Sequence, residues 1–509
     1  MGQIRYNAIV LSFKGGKSSA RMSRLAFCFA KQGGLNMFNK MKKLIAVSLA
    51  AVMVCSLAAC GEKPTGGETT PTPTPKSEAD MTPMEKMDAY YAEYPAFDME
   101  GRVIKIAMFY DAYFDSYDTK PEDNPGLLDM EMGQTMLDNV RRIEQKYNCK
   151  IEYINPGSDA LKTSLNTSVV AGTPDYDVYL TQMDFALPLA VNGYFIDLST
   201  FNADYLDLNK EQNIIKAFPV AGTNCFFEKS AKNVTANYMV YNADMLAQLK
   251  LEDPIELYAK GEWTWEKFEE LCIKATQDTD NNGETDIYGY GGDLTMTLRE
   301  FLASNNAVLV KEDGTEGLSD AKSLEVFQFL GKLYGEDKAA RPIVDDWYDG
   351  LASWINNKSV FGVTQMWILQ TADDINFNYR IVPWPQGPSG SAQVAGQGFN
   401  DYFAIPRGVK DPEKVYQIME EFFGWFCGDI EVRDQDMISL AEGCFIEEAD
   451  VDTAFEIGDW GNKDIWSIID SEFLVASVFS GVVSGEFTPA QAVESVKQLF
   501  QDEINAVME

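Results

Sequence analysis

Between Val103 and Leu180 the hydrophobic period of the chain changes repeatedly, and that alternation sharply limits the folds open to it. Val103 to Met108 is an apolar run of strand length, after which Met136, Val140, Ile143 and Tyr147 recur at helical spacing. A strand around Ile151 and Tyr153 comes next, then Leu161, Leu165 and Val169 at i, i+4 and i+8, then a short strand from Asp177 to Leu180. Such a βαβαβ run predicts an α/β fold with a parallel sheet covered by helices on both faces. Open sheets of this kind take ligands in the crevice beyond the strand C-termini, which here means the turns starting at Phe109 and Thr181.

A chain of 509 residues can bury more than one core, so two lobes and an appendage are expected. From about residue 240 the sequence turns helix-rich. Thr264 can cap a helix carrying Trp265, Phe268, Leu271 and Cys272, and later helices start at Asp411 with Pro412 and at Thr488 with Pro489. Thr488 and Gln491 form a capping box, and Val493, Val496, Phe500 and Ile504 give the last helix its apolar face. No internal repeat is visible.

The first hundred residues read differently. From Met37 a lysine-rich stretch leads into an apolar run, Leu44 to Ala59, that ends at Cys60, which is the pattern of a signal peptide. Leu57, Ala58, Ala59 and Cys60 resemble the lipobox of bacterial lipoproteins, which implies that Cys60 is lipidated and becomes the mature N-terminus; two acyl chains anchor stably where one would not. The alternative, a membrane-spanning anchor, needs about 20 apolar residues, and the run is slightly short for that. Residues 1–36 are expected to lie upstream of the true start, 37–59 to be the signal peptide, and 60–98 a lipidated cysteine with a Pro/Thr-rich tether.

Residues 1–60 carry nine of the 42 Lys and Arg and no acid, so the remainder sets 33 bases against all 78 acids, a net charge of about −45. A surface of that sign repels phosphate backbones, which argues against nucleic acid as a partner. There is no histidine, so Ser-His-Asp and Cys-His nucleophiles and histidine-ligated zinc are excluded. Beyond the leader, Cys149, Cys225, Cys272, Cys427 and Cys444 are scattered and odd in number, so no full disulfide framework follows.

"DTDNNGETDIYG", residues 278–289, sets Asp278, Asp280, Asn282 and Asp286 at positions 1, 3, 5 and 9 of a calcium-type loop, with the Glu284 backbone carbonyl at position 7. Position 12 is Gly289 instead of a bidentate glutamate, and "YGYGG" stands where an exit helix would begin. Neither a calcium sensor nor a paired-loop module is encoded; a fixed ion or an empty polar turn remain as readings.

Several stretches together resemble the extracellular solute-binding proteins of ATP-driven sugar importers, the family that includes maltose-binding protein. They are "NYMVYNADML" (237–246), "GEWTWEKFEELCIKAT" (261–276), "SVFGVTQMWILQ" (359–370), "YRIVPWPQGPSG" (379–390), "GFNDYFAIPRGVKDPEKVYQIMEEF" (398–422) and "GEFTPAQAVESVKQLFQDEIN" (485–505). The resemblance implies a two-lobed, type II periplasmic-binding-protein-like fold, each lobe a doubly wound sheet flanked by helices, with a hinged cleft between. The lobes are expected to comprise residues 99–235 plus about 404–450, and 236–403 plus about 451–509. The implied partners are a carbohydrate, an ABC permease complex and, through the lipid, the outer face of the bacterial cytoplasmic membrane. A monomer is expected, without catalysis and without an organic cofactor. Because similar acidic loops recur in this family after the corresponding helix, any calcium is expected to be structural.

The resemblance also points to residues. Tyr110 and Asp111, just past the first strand, fall where hydroxyl-binding groups are expected, with a solvated loop as the alternative. Gln182 and Asp184 fall at sugar-binding positions if the strands align without a gap; Asp184 could equally cap the next helix. Trp367 sits where the family often has a stacking tryptophan, with core packing as the alternative. All nine tryptophans lie at or after Trp263, so platforms should come from the second lobe, with Trp347, Trp354, Trp460 and Trp466 as weaker candidates. Rival functions are the same fold binding a peptide or another small solute, and a cell-surface glycoside hydrolase working with two carboxylates.

Overall fold

The computed structural model describes residues 80–109, 130–201, 215–216, 224–227, 236–343, 347–372, 375–391, 401–460 and 472–508, and Lys76–Glu509 cluster as one compact unit. The chain is a mixed α/β protein built on two sheets. Strands β1 (Arg102–Ala107), β2 (Cys149–Ile154), β3 (Val178–Gln182), β4 (Ile215–Lys216) and β5 (Phe226–Phe227) belong to the first sheet; β6 (Tyr238–Asn242), β7 (Tyr288–Gly291), β8 (Ser359–Thr364) and β9 (Tyr379–Val382) form the second. Strand β10 (Asp401–Ala404) returns to the first, whose order is β2-β1-β3-β10-β5-β4.

The parallel βαβαβ run expected from the alternation is present. β1 pairs in parallel with β2, Ile104 opposite Ile151, and with β3, Ile106 opposite Val178. The helix Met130–Tyr147 buries Met136, Val140, Ile143 and Tyr147, the residues whose spacing announced it. The helix that starts at Ser158 widens into a π-turn over Leu165–Val169, which still keeps Leu161, Leu165 and Val169 inside. β10 was not foreseen as a sheet partner: it inserts antiparallel between β3 and β5, with Asp401 opposite Gln182 and Phe403 opposite Leu180. In the second sheet, ordered β7-β8-β6-β9, β7 and β8 run parallel and β6 runs against both of its neighbours.

Each sheet has aromatic packing on it. Phe227, Phe403, Tyr416 and Phe423 cluster on the first, Phe403 and Phe423 with ring centroids 5.0 Å apart. On the second, Trp354 lies against β8 so closely that a Cβ on Gly362 would stand 2.5 Å from the indole. That contact puts Trp354 wholly in the core and removes it as a ligand platform.

Two boundaries differ from those expected. The segment from Asp80 is not a continuation of the tether. Thr82 and Glu85 form a capping box with Pro83 at the first helical position, and the helix Pro83–Tyr90 packs on Met130–Tyr147 with Met87 buried. Tyr91 and Tyr94 continue this strap, their hydroxyls donating to Gly424 O at 3.0 Å and to Glu420 at 2.8 Å. At the other end, the helix Ile430–Cys444 packs against Met366–Thr371, and Tyr379 donates to the Cys444 carbonyl. Residues from Ile430 therefore sit with the second sheet, whereas the helix Pro412–Phe423 stays with the first.

Three other expectations hold locally. Thr264 caps the helix Trp265–Ala275 by accepting from Lys267 N, Pro412 opens its helix, and the Thr488–Gln491 box starts the helix Pro489–Met508. Among the described residues the five cysteines are free thiols, and no helix is long and apolar enough to cross a membrane.

Candidate functional site

The pairing registers define which residues share an edge. In the first sheet β1 and β2 end together, Ala107 opposite Ile154, while β3 runs three residues beyond its pairing of Tyr179 with Ala107, and antiparallel β10 begins beside the end of β3. That edge carries Phe109, Gln182 and Asp401, and Gln182 Nε2 donates to Asp401 Oδ1 at 3.0 Å. Asp401 was missed from sequence, because only the long-range strand pairing shows that it faces Gln182. Tyr110 and Asp111 lie outside the described residues. Asp184 lies in the first turn of the helix Met183–Val191, and its side chain is likewise outside the description.

In the second sheet β7 and β8 end where β6 begins and where β9 ends, because Tyr238 pairs with Thr364 and Met239 with Val382. This edge gathers Asn237, Asp293, Gln365, Trp367 and Trp384. Trp367 is 42% exposed, the open ring of this edge. Its indole N–H donates to Gln365 Oε1 at 2.5 Å; Gln365 Nε2 donates to Asn237 Oδ1 at 2.6 Å, and Asn237 Nδ2 donates to Glu300 at 2.8 Å. Trp384 donates instead to the Asn237 carbonyl and packs on Phe301. Half-buried Asp293 caps the helix Leu294–Ser304 through Met296 N, and desolvation pushes its carboxyl above the usual range. Asn237 and Gln365 could have been noticed as amides bracketing buried strands; Glu300 sits within a helix and gives no such signal. Trp460 packs partly against the core, Trp466 lies outside the described residues, and so does the Trp347 side chain.

The acidic loop is folded as its spacing suggests. The carboxylates of Asp278, Asp280 and Asp286 lie within 4.8 Å of one another, all three exposed. Gly283 N donates to Asp278 Oδ2 at 2.8 Å and Asn282 N to Asp280 Oδ1 at 3.1 Å, while the Gln277–Ile287 bridge closes the base of the loop. Hydrogen bonds from Thr279 hold the Asp286 carboxyl below its ordinary range. Gly289, at position 12, is inside β7, and a Cβ there would come 2.3 Å from Cys272 Cα. No side chain fits at that position, which is why the bidentate glutamate is missing. The remaining oxygens suit a hard cation held partly by water.

The chain passes between the two sheets after β5, after β9 and after the helix Pro412–Phe423, so the first sheet takes β10 from a separate stretch of sequence and the second, whose strands are consecutive, is joined by later helices such as Ile430–Cys444 and Glu448–Asp459. That architecture is the two-lobed, type II fold of solute receptors. Residues 131–428 match the family described as bacterial extracellular solute-binding protein, and the chain belongs to that family. Among solved structures, it is similar to M. tuberculosis UspC (TM-score 0.54, 15% identity, 80% of this chain and 100% of that one). It is also similar to the cyclic α-maltosyl-1,6-maltose binding protein of Arthrobacter globiformis (0.55, 14%, 79% and 98%). A third is the maltose/maltodextrin-binding domain MalE of Bdellovibrio bacteriovorus, bound to maltotriose (0.52, 16%, 79% and 100%). No curated protein matches the chain by sequence.

Proposed function

We propose that this solute-binding protein captures a carbohydrate, in particular an oligosaccharide, and delivers it to the permease of an ABC importer. The observation that carries the reading is Trp367, a half-exposed indole at a strand edge with its only polar hydrogen already committed. A ring in that state offers a flat apolar face, which suits the CH side of a pyranose, while Gln182, Asp401 and Asp293 on the two edges offer partners for hydroxyls. The Arthrobacter protein is named for binding cyclic α-maltosyl-1,6-maltose and the Bdellovibrio domain is bound to maltotriose, which supports the same class. Capture and release need lobe closure and no bond-breaking step, in keeping with a family of binding proteins.

Lipidation at Cys60 would hold a monomer on the outer face of the cytoplasmic membrane, with the tether ending near Asp80. Asp278, Asp280, Asn282, Asp286 and the Glu284 carbonyl would hold one calcium ion, which would cross-link the loop and take no part in solute chemistry.

The test is calorimetric titration of residues 76–509 with mono- and oligosaccharides, a peptide library and product analysis in parallel. Saturable binding of one sugar class without turnover supports the proposal. Selective binding of peptides, or sugar cleavage at catalytic stoichiometry, overturns it.

A further inference from the structure

The hydrogen-bond chain beneath Trp367 has features that packing alone does not need. Gln365 occupies the N-cap position of the helix Met366–Thr371, yet its side chain makes no cap bond there. It turns back instead, accepting the indole N–H with its carbonyl and donating its amide to Asn237, itself tied to wholly buried Glu300. Two amides and a carboxylate are thus desolvated in series behind one half-exposed ring. Burying such groups is costly unless each is satisfied, and a satisfied series is stiff.

We infer that Gln365 is a positioning residue for the ligand: through Asn237 and Glu300 it fixes the plane of the Trp367 ring before any solute arrives. The inference rests on the carbohydrate reading and deepens it. Because the indole N–H is already donated, Trp367 contributes stacking and no hydrogen bond, so its subsite selects a ring with an apolar face and takes its polar contacts from other residues. A platform held in place also loses less side-chain entropy when the solute binds.

The test uses residues 76–509 with 15N-labelled tryptophan. The Trp367 indole resonance is assigned by its disappearance in Trp367→Phe, in protein without ligand. Gln365→Met, which conserves volume and removes both hydrogen bonds, is expected to shift that resonance and speed its solvent exchange. Gln365→Glu, which keeps an acceptor for the indole and gives up the donation to Asn237, is expected to fall between the native protein and Gln365→Met. In titrations with the sugar that binds best, Gln365→Met should weaken affinity about five- to tenfold in the native background. It should have little further effect in Trp367→Phe, whose ring has no N–H to hold. An unmoved indole resonance in Gln365→Met, or equal losses in both backgrounds, overturns the inference. If no sugar binds at all, the carbohydrate reading fails while the resonance still decides whether Gln365 orients the ring.

Discussion

Trp367 is the residue on which the ligand class turns. Replacing it with alanine removes an exposed platform and leaves the core intact, so affinity for the cognate sugar should fall at least about tenfold. Stability should fall by no more than about 1–3 kcal/mol, because buried Gln365 Oε1 loses its donor while the apolar core is untouched. Titration calorimetry beside urea unfolding checks both, and an unchanged Kd would exclude the ring from the site. A different kind of residue is Asp244, which accepts from Asn378 N at 3.0 Å and from its side-chain amide at 2.9 Å. These bonds, the backbone one first, hold its carboxyl below the ordinary range. A depressed folded-state pKa gives stability that is present above the unfolded value, about 3.9, and is lost as pH falls through the folded one. Asp244→Asn should therefore be less stable than the native protein at pH 7, and the gap should close as urea midpoints are followed down towards pH 3. A gap that persists unchanged at pH 3 would mean that the charge of Asp244 is not what stabilises the turn.

At the scale of elements, the helix Pro412–Phe423 is fastened to Met130–Tyr147 by buried Glu421, which pairs with Arg142 at 2.6 Å and Lys146 at 2.7 Å and accepts from Tyr147. Glu421→Gln would leave two cations without their common partner, and removing one member of a buried pair costs about 3–5 kcal/mol. Chemical denaturation should show a loss of that order, and a loss under 1 kcal/mol would mean that the cations find water. The acidic loop makes a second prediction: calcium should raise the unfolding temperature, by an amount equivalent to about 2.7 kcal/mol at 100 times its Kd. Asp278→Asn with Asp286→Asn should abolish the increment without altering sugar affinity. A calcium-independent melting temperature in the native chain removes the ion from the account. These elements also show what was legible in the sequence. Helices whose apolar residues repeat within one segment, and caps such as Thr264 and Thr488, are written locally. The partnership of Gln182 with Asp401 is not, because it depends on which distant strand inserts beside β3. The strap at Pro83 was masked by the proline-rich tether before it, although its capping box was there to be found. Trp354 and Trp367, alike as letters, part company only because Gly362 lets one of them sink onto β8.

Over the whole molecule, acidic residues outnumber basic ones in both lobes. Bringing two like-charged bodies together around a solute works against closure, and the opposition is strongest where screening is weakest. The Debye length falls from about 30 Å at 0.01 M salt to about 8 Å at 0.15 M. A neutral carbohydrate has no charge of its own to screen, so salt acts on it only through the lobes, and its affinity should stay level or rise by up to about fivefold over that range. A cationic solute would behave in the opposite way, since the same acidic surface attracts it and salt weakens that attraction. Calorimetry at the two salt concentrations, with small-angle scattering to follow closure, separates the cases. Affinity that holds or grows with salt, accompanied by a smaller radius of gyration on binding, fits a neutral ligand enclosed by two repelling lobes. Affinity that falls steeply with salt would point to a positively charged solute and would remove carbohydrate from the description, leaving the two-lobed receptor in place.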